Sequence, residues 1–289
     1  MNWPTPLPKL TTGFSKAVFS QPEHAVAFFR SHLPPELVEK IDWNTLTLVP
    51  GSFVKSSLRQ AHSDLLFSVQ MGGRQTLLYL LFEHQSTPDP AMPLRALVYV
   101  VEILNKHMED HGLPLPAVLP FVFYQGPKAW TLSPDFEDLF DLPDDLKELL
   151  LPYLPKFRHA LLDLTGIDPT EEGVDVRVQG ILQLMKLARQ KDLLGFFQWL
   201  AGLSADAFPD NLLRLMLLYA MRTDSDIDVE TIYHTLSSNP ELKKSAMSVA
   251  EKLEARGRRE GRQEGAIQML EDFLRRPVST LETLDAMTA

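Results

Sequence analysis

Two apolar runs separated by a pair of glycines form the most regular pattern in the chain. The first run follows Asp64, the second ends at Glu83, and Gly72-Gly73 lies between them. A Gly-Gly pair between two such runs is typical of a β-hairpin with a two-residue turn. Because the first strand of a hairpin starts beside the end of the second, we expect Asp64 and Glu83 to meet at one end of the hairpin.

The second strand of this hairpin is apolar on both faces. Residues 77–82 are Leu, Leu, Tyr, Leu, Leu and Phe, which predicts a strand in a sheet covered on both sides. A carboxylate at the end of such a strand needs a cation, a proton or hydrogen-bond donors. Two converging carboxylates repel unless a divalent metal lies between them, and oxygen ligands suit Mg²⁺, Mn²⁺ or Ca²⁺. Since strand side chains alternate, Glu83 and Gln85 are expected on one side and His84 on the other.

The hydrophobic pattern predicts alternating helices and strands up to about residue 165. We expect an extended arm at residues 1–10, two helices broken at Pro22 within 14–33, a strand at 45–49 and the hairpin at 64–83. A crossover helix at 92–111 should then lead to a strand at 117–124 that is parallel to the second hairpin strand. A short amphipathic helix at 144–154 and a last strand at 160–164 follow. Pro120 within its strand suggests a sheet edge or a bulge.

Polar residues end the last two predicted strands. Tyr124 and Gln125 follow the crossover, where ligand sites of α/β sheets gather, so either residue could line a cleft, and Tyr124 could equally be a packing residue. For Asp163, in the last strand, a hydrogen-bonded structural role is favoured over a functional one.

From Val174 onward apolar residues recur at helical spacing, which predicts an all-helical region without a catalytic constellation. In the predicted last helix, residues 240–273, Gly257, Gly261 and Gly265 share one face. Small residues at this spacing allow close helix pairing, so a homodimer through the C-terminal helix is one interpretation. A solvated, frayed helix is the other, because each glycine costs about 1 kcal/mol. The predicted domains are residues 1–167, 168–240 and 241–289.

Composition restricts the classes of function. Of 289 residues, 45% are apolar and 23% charged, as in soluble globular proteins. No apolar run of the length of a membrane span is present, and the N-terminal residues lack the hydrophobic segment of a secretory signal. The absence of cysteine excludes disulfides and thiolate metal sites, and it fits a cytoplasmic location.

The charge balance is unusual for a protein that binds nucleic acid. The formal net charge is −10, and residues 1–165 contain 13 basic against 18 acidic side chains. Nucleic-acid binding usually depends on basic patches. Lys55, Arg59, Arg74 and Arg95 could form a local patch that contacts phosphates, or they could be scattered, solvated residues.

Several short segments around the hairpin resemble one nuclease family. They are SHLPPEL at 31–37, VPGSFV at 49–54, SDLL at 63–66, FEHQSTPDP at 82–90, LPFVFYQG at 119–126 and LLDL at 161–164. An Asp that starts one strand and a Glu-x-Gln that ends the next resemble the PD-(D/E)XK nuclease core. The ordered set of segments resembles, more narrowly, the Rpn group of recombination-promoting nucleases, also described as YhgA-like transposases. The resemblance covers roughly residues 10–165 and weakens in the helical part.

The resemblance implies an α/β fold with a restriction-endonuclease-like core, a mixed sheet flanked by helices, followed by an all-helical C-terminal region. It implies a metal-dependent DNA endonuclease that hydrolyses phosphodiester bonds, tied to recombination or mobile elements. Asp64, Glu83 and the backbone carbonyl of His84 would hold Mg²⁺ (or Mn²⁺/Ca²⁺). Asp64, Glu83 and Gln85 would be the catalytic residues. Gln85 occupies the position where the wider superfamily often has Lys, so it would orient water by hydrogen bonds without carrying charge.

One part of the family pattern is missing. The family that the chain resembles usually carries a His-Asp pair shortly before the Phe-Lys of the first helix, and the matching positions here are Thr11-Thr12. This departure leaves a second hypothesis open, a catalytically weakened nuclease-fold protein that acts as a DNA- or protein-binding regulator. RNA as the substrate of the same core is a third hypothesis.

Overall fold

A computed structural model of the chain describes residues 7–50, 64–83, 87–223, 229–244, 246 and 247, excluding the side chains of residues 7–12, 82, 83, 205 and 229. The described residues form two compact units. His32–Ile167 make up one unit, and the described residues before His32 form the other together with those from Asp168 onward.

The helices and strands of the described residues alternate first and are then all helical. The helices are α1 (Leu7–Phe19), α2 (Pro22–His32), α3 (Pro35–Val38), α4 (Met92–His111), α5 (Asp144–Leu150), α6 (Val176–Gln190), α7 (Leu193–Ala201), α8 (Asp210–Thr223) and α9 (Val229–Thr235). The strands are β1 (Ile41–Leu48), β2 (Leu65–Met71), β3 (Arg74–Glu83), β4 (Ala117–Tyr124) and β5 (Ala160–Asp163).

The five strands form one mixed sheet in the order β1-β2-β3-β4-β5. The first three strands pair antiparallel, and β3, β4 and β5 pair parallel. The hairpin between β2 and β3 has the predicted turn, with positive φ of 57° at Gly72 and 73° at Gly73. Two positive φ angles are typical of the type I′ turn, which matches the twist of the flanking strands. The predicted mixed α/β architecture is therefore confirmed.

The core of this unit lies between one face of the sheet and α4. Leu66, Tyr79, Leu81 and Val122 belong to a buried cluster that also includes Met92 and Ile103 of α4. The helix carries the chain from β3 to the parallel strand β4, as predicted for a crossover, and its bounds agree with those expected from the sequence. Every residue of β3 from Thr76 to Leu81 is buried, which confirms that this strand is covered on both faces.

The first two helices belong with the helical unit, in contrast to the predicted domain of residues 1–167. The ring of Phe14 in α1 stacks on Tyr219 in α8, with centroids 4.5 Å apart. Ser15 and Met185 of α6 also meet, with Oγ and Sδ 3.9 Å apart. Packing of α1 on α6 and α8 thus assigns the N-terminal helices to this unit, which continues from Asp168 onward.

Three smaller features differ from the sequence expectations. Helix α1 begins at Leu7, where an extended arm was expected, because a proline such as Pro8 is tolerated in the first helical turn. Strand β4 lies inside the sheet, and Pro120 is accommodated because β5 pairs with β4 only from Phe121 onward. Helix α5 is exposed along its whole length, so its apolar side does not face a core.

None of the described helices combines the length and apolar character that a membrane span requires.

Candidate active site at one edge of the sheet

The strand register brings the backbones of Asp64 and Glu83 toward the same edge of the sheet. Leu65 pairs with Leu80, and continuation of this antiparallel register puts Asp64 beside Leu81. Glu83 lies two residues further along β3, which is roughly 7 Å along the strand. The same edge continues into β4 and β5, because Glu83 pairs with Tyr124 and Tyr124 pairs with Asp163.

A hydrogen bond from the interior of β3 holds the carboxylate of Asp64. The hydroxyl of Tyr79 donates to Oδ2 of Asp64 at 2.5 Å. Tyr79 is only 2% exposed, and burial raises its pKa well above the ordinary value, with further increases from the charge of Asp64 and from this hydrogen bond. The phenol therefore stays protonated and donates across the physiological pH range.

Sequence reasoning did not single out Tyr79. It lies among apolar residues on the face of β3 that packs against α4. The available signal was chemical, because the hydroxyl of a buried tyrosine usually finds a hydrogen-bond partner. Strand alternation also puts Tyr79 and Leu81 on the same face of the sheet. Because the register puts Asp64 beside Leu81, the side chains of Asp64 and Tyr79 share that face.

The first turn of α4 supplies a cation on this side of the sheet. Arg95 forms an ion pair with Asp89, with Nη1 and Oδ2 2.7 Å apart. Asp89 also accepts a hydrogen bond from the backbone N–H of Ala91 at 2.9 Å, which fixes the turn that starts the helix. The positive charge of Arg95 lowers the pKa of Tyr79, the weakest of the influences on that phenol. Arg95 therefore belongs to the electrostatic environment of the Tyr79–Asp64 pair.

The predicted basic patch does not assemble from its described members. Arg74 pairs with Met71 beside the hairpin turn, at the far end from Asp64. Nine residue steps along β3 separate Arg74 from Glu83, about 30 Å of extended chain. Because of this separation, Arg74 cannot act at the same edge of the sheet as Arg95. The other two members, Lys55 and Arg59, lie outside the described residues.

Asp163 has the structural role that was favoured from the sequence. Its Oδ2 accepts from the backbone N–H of Trp130 at 2.7 Å. Its Oδ1 accepts from the backbone N–H of Thr165 at 2.9 Å and from the hydroxyl of Thr165 at 2.8 Å. The carboxylate thus ties the loop after β4 to the turn after β5.

Tyr124 and Gln125 are both fully buried at the end of β4. The ring of Tyr124 packs edge-on against Trp130, with centroids 4.9 Å apart. Tyr124 is therefore a packing residue, more completely buried than expected. Trp130 was not singled out from the sequence.

The other predicted site residues lie outside the described part of the chain. This applies to the side chain of Glu83 and to the whole of His84 and Gln85, so their catalytic and metal-binding roles stay predictions. Among the described residues, no group of three or more His, Asp or Glu side chains gathers as a metal site would. The donor atoms of the predicted set are nevertheless all oxygens, and these are the ligands that Mg²⁺, Mn²⁺ and Ca²⁺ prefer.

Comparison with models of protein families identifies the family to which the chain belongs. Residues 12–209 match the family described as "Putative transposase, YhgA-like". Since the match covers more than half of the chain, the protein belongs to this YhgA-like transposase family.

The curated relatives are named nucleases or inactive forms of them. The chain is 34% identical to the recombination-promoting nuclease RpnC of Escherichia coli strain K12 over 83% of its own length and 81% of that protein. It is 33% identical to the recombination-promoting nuclease RpnD of Escherichia coli O157:H7, over 82% of its length and 91% of the relative. It is 30% identical to the inactive recombination-promoting nuclease-like protein RpnE of Escherichia coli strain K12, over 94% of its own length and 93% of that protein. No solved structure matches the chain significantly.

Proposed function

We propose that this protein is a metal-dependent DNA endonuclease with a PD-(D/E)XK core, which hydrolyses phosphodiester bonds in recombination or in the movement of mobile elements. The observation that carries this proposal is the arrangement of Asp64, which is held by Tyr79 at the sheet edge where β3 ends in Glu83. The names of RpnC and RpnD support a nuclease role in recombination.

Asp64, Glu83 and the backbone carbonyl of His84 are the oxygen donors that would hold Mg²⁺, with Mn²⁺ or Ca²⁺ as substitutes. A bound divalent ion in such a site lowers the pKa of bound water and polarises a phosphate oxygen. The chain itself provides the fixed carboxylate. Because Tyr79 is buried and remains protonated, it restricts the carboxyl group of Asp64 to one orientation, as partners of metal ligands commonly do.

Two further residues have roles in this mechanism. Gln85 would orient the attacking water through its side-chain amide, because it offers a donor and an acceptor without charge. Arg95, 32% exposed at the start of α4, adds positive charge on the side of the sheet where a phosphate would approach. Binding to DNA is expected to be weak and sensitive to salt, since the net charge of the chain is −10.

Cleavage of a supercoiled plasmid in a series of divalent metals tests this function. We expect nicked and linear products with Mg²⁺ or Mn²⁺, none with EDTA, and no degradation of a single-stranded RNA under the same conditions. Cleavage of the RNA alone would favour the same core with a different substrate. Absence of cleavage with every metal would overturn the enzyme function.

A specific observation favours one alternative, a catalytically weakened protein that binds DNA or another protein as a regulator. Thr11-Thr12 stand where the family resemblance leads us to expect a His-Asp pair. RpnE, which is named inactive, is similar to this chain over 94% of this chain's length. Calorimetric titration with Mn²⁺ separates the two functions. An enzyme should bind the ion and lose this binding in Asp64→Ala, whereas a regulator of this kind should show no binding while a labelled DNA duplex still binds.

A further inference from the structure

The loop that follows β4 is fastened to the segment around β5. Residues 126–136 form this strap, and the backbone N–H of Trp130 in its middle donates to Oδ2 of Asp163 at 2.7 Å. Near its C-terminal end, Asp135 forms an isolated antiparallel bridge with Arg158. The side chains of these two residues also pair, through hydrogen bonds of 2.7 and 2.8 Å. The strap is therefore held at its middle and at one end.

The middle of the strap packs on the end of β4. The indole of Trp130 meets the ring of Tyr124 edge-on, with centroids 4.9 Å apart, and its Nε1 donates to the carbonyl of Leu132 at 3.0 Å. Trp130 also packs against the buried cluster between the sheet and α4. Because Tyr124 pairs with Glu83, the strap covers the strand end that neighbours the candidate active site.

His159, directly before β5, is buried against the strap. It is 1% exposed, and its ring meets that of Trp130 edge-on, with centroids 6.5 Å apart. Its backbone N–H donates to the carbonyl of Pro134 at 3.4 Å. His159 thus contacts the strap both at its middle and near its C-terminal end.

Hydrogen bonding determines the protonation state of this imidazole while the strap is closed. Nδ1 lies 3.1 Å from the carbonyl oxygen of Ala160, and since a carbonyl only accepts, Nδ1 carries the proton. Nε2 is buried and has no hydrogen-bond partner among the described residues. A second proton on Nε2 would create a buried charge and a buried N–H without an acceptor, both of which are costly.

Two charged groups act on the imidazole, and they are paired with each other. Burial has the largest effect and lowers the pKa of His159, against smaller opposing effects of the hydrogen bond with Ala160 and the charge of Asp135. The charge of Arg158 lowers this pKa further. In water the pKa of histidine is about 6.5, so the closed strap is favoured above that pH and loses stability as the pH falls below it.

We propose that residues 126–136 act as an acid-sensitive strap, which opens when the imidazole of His159 takes up a second proton. The charged imidazole moves from its buried position into water, and Trp130 then separates from Tyr124 and Asp163. The packing at this edge of the sheet is lost with it. The regulatory role rests on the proposed function, because this is the edge at which DNA would be cleaved, and cleavage should slow as the strap opens.

Fluorine NMR of the full chain labelled with 5-fluorotryptophan tests the strap independently of cleavage. The chain contains four tryptophans, and Trp130→Phe identifies the resonance of Trp130. Below pH 6.5, intensity should pass from this resonance to that of an exposed indole, with the open-to-closed ratio rising by up to about tenfold for each pH unit. Trp43 in β1 should keep its resonance. A simultaneous change at Trp43, or no change at Trp130 down to pH 5, would overturn the proposal.

His159→Asn tests the role of the imidazole, because the asparagine amide keeps a donor for the carbonyl of Ala160 and does not titrate. Its strap should stay closed down to pH 5. The matched control is His111→Asn, at an exposed position at the end of α4, which should open as the unaltered chain does. An equal acid response in His159→Asn and the unaltered chain would overturn the role of His159.

Asp135→Asn keeps the proposal testable if His159→Asn does not fold. This variant removes the ion pair with Arg158 that fastens the closed strap. The midpoint of the Trp130 change should therefore move to higher pH, and an unchanged midpoint would contradict the proposal.

Plasmid cleavage tests the regulatory role separately. The rate at pH 7.5 divided by the rate at pH 5.5 should be larger for the unaltered chain than for His159→Asn. Equal ratios would overturn the regulation of the site by the strap. If the unaltered chain cleaves no DNA at either pH, the proposed function fails, and the NMR result alone decides whether the strap opens with acid.

Discussion

The hydroxyl of Tyr79 donates a 2.5 Å hydrogen bond to Oδ2 of Asp64, and this contact joins the middle of β3 to the residue that precedes β2. It links the stability of the hairpin to the position of the carboxylate on which the proposed chemistry depends. Buried polar contacts to a charged group are among the stronger hydrogen bonds in proteins. The position of the Asp64 carboxylate therefore depends on the correct pairing of β2 with β3.

Replacement of Tyr79 by phenylalanine should weaken both the fold and the site. We expect the free energy of unfolding to fall by about 1.5–3 kcal/mol, since a hydrogen bond to a charged group is lost. The rate of DNA cleavage should fall by about tenfold or more as Asp64 loses its fixed orientation. Urea unfolding and plasmid cleavage measure the two effects.

Tyr99→Phe is the matched control for this substitution, because the ring of Tyr99 packs on Tyr79 with centroids 5.9 Å apart. The control should retain the cleavage rate of the unaltered chain. Equal loss of cleavage in both variants would show that the hydrogen bond to Asp64 has no special role.

The raised pKa of Tyr79 predicts a loss of stability in alkaline solution. Burial is the main cause of this increase, followed by the charge of Asp64, whereas the unfolded chain has a tyrosine pKa of about 10. The contribution is therefore fully present below pH 10 and is lost as the pH rises above that value. Between pH 9 and 11, the free energy of unfolding should fall more steeply in the unaltered chain than in Tyr79→Phe. Parallel curves would contradict this assignment.

His24 in α2 should make the helical unit sensitive to acid. Burial lowers its pKa, against a smaller opposing effect of the hydrogen bond with the carbonyl of Val18. Because the unfolded pKa of about 6.5 is the higher one, the stability is present above that pH and is lost as the pH falls below it. In His24→Gln, the decrease in unfolding free energy between pH 7 and 5 should be smaller. His234→Gln, at an exposed position in α9, should behave like the unaltered chain, and a similar change in both variants would refute the prediction.

Gly180 in α6 should not tolerate a methyl group. A Cβ atom there would overlap the ring of Phe208, at 2.7 Å from Cζ, and lie 3.2 Å from Cε of Met216. Overpacking costs about 1–3 kcal/mol, which exceeds the gain of about 1 kcal/mol from helix propensity. Thermal unfolding of Gly180→Ala should show a net loss of stability.

Gly202→Ala is the control for this variant. At Gly202 the nearest atom to an added Cβ is the carbonyl oxygen of Trp199, at 3.4 Å, and the backbone is in the right-handed region with φ of −79°. Its stability should change little. A Gly180→Ala variant as stable as Gly202→Ala would contradict the close packing of α6.

The sequence predicted the elements whose patterns are strong and local. Helix α4 and strand β4 have the expected bounds, and the hairpin turn follows from its two glycines. What the sequence did not predict depends on contacts between distant segments. Packing of Phe14 on Tyr219 assigns α1 to the helical unit, and no local pattern contains that information. Helix α5 has the sequence of an amphipathic helix, yet the described fold provides nothing that buries it.

The candidate site was predictable only in part, for a physical reason. Strand pairing follows from the turn, so the sequence predicts which backbones approach each other, Asp64 and Glu83 among them. Side-chain partners depend on the fine register and on the faces of the strands, and Tyr79 was overlooked because its ring matched the apolar pattern of β3. Asp163 illustrates the opposite case, since an acidic residue in the half-buried strand β5 is explained by the hydrogen bonds that it accepts from Trp130 and Thr165.

The most direct test of the central claim, that Asp64 and Glu83 act together on one metal ion, is plasmid cleavage by Asp64→Ala and Glu83→Ala in Mg²⁺. Glu148→Ala, an exposed carboxylate on α5, is the control, and circular dichroism verifies the fold of all three variants. We expect both site variants to lose activity by at least about a thousandfold, since each removes a ligand from the proposed site. We expect the control to cleave at the rate of the unaltered chain. Cleavage by either site variant at that same rate would contradict the shared metal site.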